Sequence, residues 1–177
     1  MLNLPYTNIL PATIVLTALA IGSYTDLKYR IIKNNVSFGL IVAGLVYNIF
    51  FGYGYIFSLL GIVSGFVLFL LPYIITGMGA GDVKLIMGVG AVLGWQYAIY
   101  IGMLSSILSA LHSIAVNAKK GKISELFKST FKYQLNYAIV KVQIKDYSRE
   151  TTEGTTLPYA VSILISTILV LLGGWLY

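Results

Sequence analysis

An all-α, polytopic membrane protein of about six transmembrane helices is the fold class this sequence predicts, on three observations. Of its 177 residues, 58% are hydrophobic and only 10% are charged, and the mean hydropathy is +0.84. Soluble domains carry roughly 25% charged residues. Several uncharged stretches approach or exceed the ~20 apolar residues that cross a bilayer. Every basic residue falls on one side of the membrane once six crossings are drawn. The chain reads as a single membrane domain, 1–177, with one sizeable polar segment at about 118–156.

The first span covers about 9–24. The residues before it, MLNLPYTN, carry no basic group, so a cleaved signal peptide is not expected. The second and third spans cover about 36–51 and 56–75, and Pro72 is expected to kink the third. A 33-residue uncharged stretch follows at 85–117. As one helix it would be about 50 Å long, against a hydrocarbon core of about 30 Å. It therefore reads as two spans folded back near Gly94, Trp95 and Gln96. The last span covers about 157–177, with Pro158 suited to its first turn.

The charges test this count. Lys28, Arg30 and Lys33 follow the first span, and Lys84 follows the third. Lys119, Lys120, Lys122, Lys128, Lys132, Lys141, Lys145 and Arg149 precede the last. These are all twelve Lys and Arg residues in the chain. Six spans put the twelve on one face, whereas five would split them. The positive-inside rule then predicts both termini outside and the charged segments in the cytoplasm.

Within the polar segment, Phe127, Phe131, Leu135 and Ile139 recur every four residues and so line one helical face. Such a face suits a helix lying on anionic headgroups, or a docking surface for a partner. The spacings Gly61-x-x-x-Gly65 and Gly90-x-x-x-Gly94 suit close helix contacts. No internal repeat supports an inverted-repeat transporter.

Composition also excludes chemistry. There is no cysteine, hence no disulfide framework, cysteine-ligated metal or thiol nucleophile. No metal site and no cofactor are expected. The net charge of +6 lies at the membrane boundary, so no nucleic-acid partner is expected; the lipid bilayer is. The single histidine, His112, lies inside the fifth span and reads as structural.

Of six acids, Glu125, Asp146, Glu150 and Glu153 belong to the polar segment. Only Asp26 and Asp82 adjoin spanning helices. Both fall at the cytoplasmic ends of helices, 56 residues apart in sequence but on the same side. Asp82 also suits a helix N-cap. Asp26 sits near the end of its helix, where the dipole disfavours a negative charge. Carboxylates at the membrane are costly and usually functional. Two carboxyls with no cysteine, histidine pair or metal motif suit aspartic proteolysis. One carboxylate takes a proton from water while the other, protonated, polarises the peptide carbonyl. Gly79 and Gly81 would let an extended substrate backbone lie close to Asp82. Arg30 and Asn34, four apart, are expected on one helix face beside Asp26, with Arg30 bracing the carboxylate. Lys84 is expected to snorkel to headgroups or to tune the pair.

The run Gly79, Ala80, Gly81, Asp82, Val83, Lys84, Leu85 resembles the GxGD motif of the type IV prepilin and archaeal preflagellin peptidases. The run from Asp26 through Arg30 and Ile32 to Asn34 resembles that family's D-x-x-x-R-x-I-P-N stretch. Lys33 stands where the family usually has proline, and Val161 where a second proline is common. With six spans and an aspartate after the first and third, the resemblance covers essentially the whole chain. It implies a membrane aspartic endopeptidase of a prokaryotic plasma membrane, with Asp26 and Asp82 as the catalytic pair. Its partner would be a pilin-like or preflagellin precursor, a basic leader followed by a hydrophobic helix, cut at the cytoplasmic face. Longer members carry a cysteine-rich zinc segment and N-methylate the product. Here protease activity alone is expected.

Three other classes fit less well. A small proton-coupled transporter could use Asp26 and Asp82 as a relay, which predicts mid-bilayer carboxylates and a repeat. A non-enzymatic scaffold for pilus assembly predicts that both aspartates are replaceable. Relatives of signal-peptide peptidase carry their first aspartate in a Tyr-Asp pair, whereas Thr25 precedes Asp26 here.

Overall fold

The structure, a computed structural model, describes residues 9–76, 78–119 and 158–173. Six helices are described: α1 (Ile9–Tyr29), α2 (Asn34–Phe50), α3 (Tyr55–Thr76), α4 (Ala80–Leu93), α5 (Trp95–Lys119) and α6 (Tyr159–Gly173). No strand occurs among the described residues. The stretches Ile9–Tyr29, Tyr55–Ile74 and Trp95–Val116 are long and apolar enough to cross a membrane. Asn34–Phe50 and Tyr159–Gly173 are apolar but shorter. The amphipathic segment expected at 118–156 lies, from residue 120 on, outside the described residues.

Local chemistry sets the breaks. Arg30 ends α1 in the left-handed region at φ 53°, and its N–H donates to the Asp26 carbonyl at 2.9 Å. Lys33 then launches α2 from φ −65°, ψ 130°. The predicted fold-back of the 33-residue stretch occurs at Gly94, which sits alone between α4 and α5. Its φ of 92° is open to glycine and strained for L-residues. The Phe57 ring fills the space a Cβ would take there.

α4 has only 14 residues, about 21 Å of helix. The other five helices make a closed ring in the order α1, α2, α3, α5, α6, and α4 packs inside it against all of them. From Val83 onward it is almost wholly buried, Leu85, Ile86, Val89 and Ala91 completely. A helix apolar on every face belongs in such a position. The ring closes tightly because glycines let backbones meet. Gly61 of α3 abuts the backbone of Gly90 of α4, and a Cβ on Gly44 of α2 would stand 2.6 Å from the Ala91 backbone. Gly61 and Gly65 of α3 and Gly90 of α4 therefore do serve close helix contact, whereas Gly94 serves the turn.

Polar side chains close the far end of α4. Asn48 Nδ2 donates to the carbonyls of Ala91 at 2.9 Å and Val92 at 3.2 Å, and Ser58 Oγ donates to Ala91 at 2.7 Å. These are among the last carbonyls of a helix, which lack intrahelical partners. The outer faces of the ring expose large apolar side chains such as Phe66, Val67, Ile107, Leu111 and Leu169. Apolar surface of that extent marks a lipid-facing protein. The chain is an all-α, polytopic membrane protein.

Candidate active site

Short breaks between consecutive helices, as at residues 30–33, 51–54 and Gly94, turn each helix back on its predecessor from α1 to α5. The C-terminal ends of α1, α3 and α5 therefore share one end of the bundle with the N-terminal ends of α2 and α4. A hydrogen bond adds α6 to that end. The Ala160 N–H, in the first turn of α6, donates to Asp26 Oδ2 at 3.3 Å. Had 85–117 been one span, α6 would start at the opposite end and could not reach Asp26. Lys28, Arg30, Lys33, Lys84 and Lys119, all the described basic residues, lie at this end too.

Asp26 and Asp82 both stand at this end. Asp26, on the last full turn of α1, is only 9% exposed. Asp82 stands in the first turn of the central helix. The carboxylates are close enough for the charge of one to act on the other. Asp82 is not the N-cap: Gly79 takes that position, and Asp82 lies three residues on. The Asp82 N–H donates to the Gly79 carbonyl at 3.1 Å, and the Gly79 N–H is directed back to the Asp82 carboxylate. This is the return half of a capping box. Asp82 Oδ1 is buried and has no hydrogen-bond partner among the described residues. A buried carboxylate oxygen left open in this way is a ready acceptor for water or a peptide group.

The other predicted residues divide. Gly79 is exposed, and a Cβ there would sit 3.1 Å from Asp82 Oδ2. Gly81 faces Ile32 instead, whose Cβ lies 3.0 Å from where a Gly81 Cβ would be. Its small size thus lets the α1–α2 link pack on α4. Arg30 acts electrostatically on Asp26. It does not share a helix face with Asn34, because the left-handed turn at Arg30 ends α1 and Asn34 opens α2. Asn34 faces Lys84, whose Nζ donates to its Oδ1 at 3.0 Å. The same ammonium lies 4.9 Å from the Phe38 ring centroid, a cation–π distance. Lys84 therefore ties α4 to α2.

Sequence reasoning missed the contribution of α6. Its Tyr159 side chain reaches Ser105 Oγ at 3.2 Å and Ser106 Oγ at 2.8 Å on α5, and lies near enough to Asp82 for the charge there to act on it. The signal available was Pro158, which marks the start of a helix at the same end as both aspartates.

The sequence profile of the type IV leader peptidase family matches residues 13–114, from α1 through most of α5. The chain belongs to that family. The matched stretch holds both Asp26 and Asp82, while α6 lies beyond it. Among curated proteins, the prepilin leader peptidase/N-methyltransferase of Aeromonas salmonicida strain A449 is 31% identical over 112 residues, 59% of this chain and 38% of that protein. The preflagellin peptidase of Methanococcus voltae is 31% identical over 91 residues, 48% of this chain and 39% of that protein. That of Methanocaldococcus jannaschii is 38% identical over 80 residues, 42% of this chain and 34% of that protein. The chain thus spans well under half the length of the curated relatives it matches. No solved structure matches it.

Proposed function

We propose that this chain is an aspartic endopeptidase that removes the short basic leader from a pilin-like or preflagellin precursor at the cytoplasmic face. The observation that carries the reading is the placement of Asp26 and Asp82 at one end of the bundle, near enough for the charge of one to act on the other. Two carboxylates 56 residues apart in sequence lie at the bundle end that holds every described basic residue. The chain belongs to the leader peptidase family, and its relatives are named prepilin and preflagellin peptidases. The basic residues at that end support a cytoplasmic location by the positive-inside rule.

In this mechanism the pair holds one proton between two carboxyls, because like charges at close range do not both ionise. The ionised member takes a proton from water, whose oxygen attacks the scissile carbonyl carbon. The protonated member hydrogen-bonds the carbonyl oxygen as negative charge develops there. Collapse of the tetrahedral intermediate breaks the C–N bond, and the leaving amine takes the proton that the carboxyl had drawn from water, which returns the pair to one proton. The products are a leader with a new carboxylate and a mature chain with a free N-terminal amine. The proton is shared by the pair, so neither aspartate is assigned a fixed role. No metal or cofactor enters this scheme, and N-methylation is not proposed for this chain.

Co-expression with a pilin-like precursor tests the reading. Asp26→Asn and Asp82→Asn should each abolish the size shift of the precursor on a gel, a loss of several orders of magnitude in rate, while the variants still insert in the membrane. Full processing by either variant would overturn it.

A further inference from the structure

We propose that Tyr159 is a positioning residue for Asp26, acting through the start of α6. The inference rests on the peptidase reading above. Tyr159 and Ala160 are adjacent, but they face different helices. The Ala160 N–H holds Asp26 Oδ2 at 3.3 Å, and Ala160 itself is fully buried. The Tyr159 phenol is fixed on the other side by Ser106 at 2.8 Å and Ser105 at 3.2 Å.

Each serine hydroxyl donates its proton to the Gly102 carbonyl at 2.9 Å, so the Tyr159 O–H is the donor of the clamp and gives its one proton to Ser106, the nearer oxygen. The Tyr159 ring sets its edge against Phe69 of α3 at 5.9 Å and 77°, a favoured aromatic geometry. The α6 start is therefore clamped to α5 and α3 by one side chain, and the next backbone N–H is presented to Asp26. The Ala160 N–H thus contributes a backbone donor to the Asp26 carboxylate, beside the Arg30 charge that also acts on it. Sub-ångström placement of a reacting group governs rate strongly, so slack at Tyr159 reaches the chemistry through Asp26.

Tyr159→Phe keeps the ring and its contact with Phe69 and removes only the hydroxyl. Its effect is read with the full-length chain in detergent, acting on a pilin precursor that the parent chain cleaves. We expect kcat to fall about five- to tenfold, the worth of one hydrogen bond, with KM unchanged. Ser106→Ala should fall by a similar factor. The double variant should fall no further than either single one, because all three remove the same clamp. A side chain that only stabilised the fold would lower the unfolding temperature and leave kcat of the folded fraction at the parent value. Unchanged kcat in Tyr159→Phe, or losses that multiply in the double variant, would overturn the inference. Asp26→Asn measured alongside separates the two levels. If it is inactive while Tyr159→Phe is normal, the positioning role alone fails; if it is active, the peptidase reading fails.

Discussion

Lys33 begins α2 at φ −65°, the angle that a proline ring imposes. Related peptidases, by the resemblance of the surrounding run, usually place proline there. The backbone thus follows the path a proline would fix, with a lysine supplying charge at the membrane boundary. No described backbone hydrogen bond uses the Lys33 N–H, and Ile32 before it lies outside both helices. Lys33→Pro should therefore be accepted and should stabilise the fold by about 0.4–1 kcal/mol, through the unfolded chain. Thermal unfolding in detergent checks this, and a clear loss of stability would mean that the N–H or the preceding residue is constrained. Arg30 makes the converse point. It adopts φ 53°, where a non-glycine residue costs roughly 1–2 kcal/mol. Such a residue is kept where something else gains from it, and here its charge acts on Asp26.

At the scale of the element, the central helix α4 depends on its neighbours at both ends. Its start is tied to α2 by Lys84 and Asn34, and its end is closed by Asn48 and Ser58. Asn48 is almost fully buried, at 1% exposure, so its bonds do not compete with water. Asn48→Leu would leave the Val92 carbonyl without its 3.2 Å donor. The expected cost is about 1–3 kcal/mol, the penalty for an unsatisfied buried polar group. A lower unfolding temperature with kcat/KM near normal is the expected result, because the clasp lies at the end of α4 remote from Asp82. Unaltered stability would show that the glycine contacts of Gly44 and Gly61 hold α4 unaided.

For the whole molecule, the proposed orientation makes both ends of the bundle testable. The chain has no cysteine, so a single introduced thiol reports its own side. Lys33→Cys should react with a membrane-impermeant maleimide only from the cytoplasm. Tyr53→Cys, in the α2–α3 turn and 58% exposed in the parent, should react only from outside. Labelling of both from one side would break the alternation on which the convergence of Asp26, Asp82 and α6 depends.

The crossings, the turn at Gly94 and the gathering of Asp26 and Asp82 at one end were legible in the sequence alone. Each reflects a local preference: charge partitions to water, apolar runs to lipid, and a left-handed turn to glycine. Which helix lies at the centre, that Asn34 faces Lys84 and not Asp26, and that Tyr159 and Ala160 join the site were decided only by the tertiary structure. The reason is physical. Lipid is as apolar as a protein core, so these helices are greasy on every face, and hydropathy does not say which face meets a neighbour. Backbone-close contacts such as Gly61 with Gly90, and polar bonds such as Ala160 with Asp26, set those rotations, and both exist only once distant segments have met.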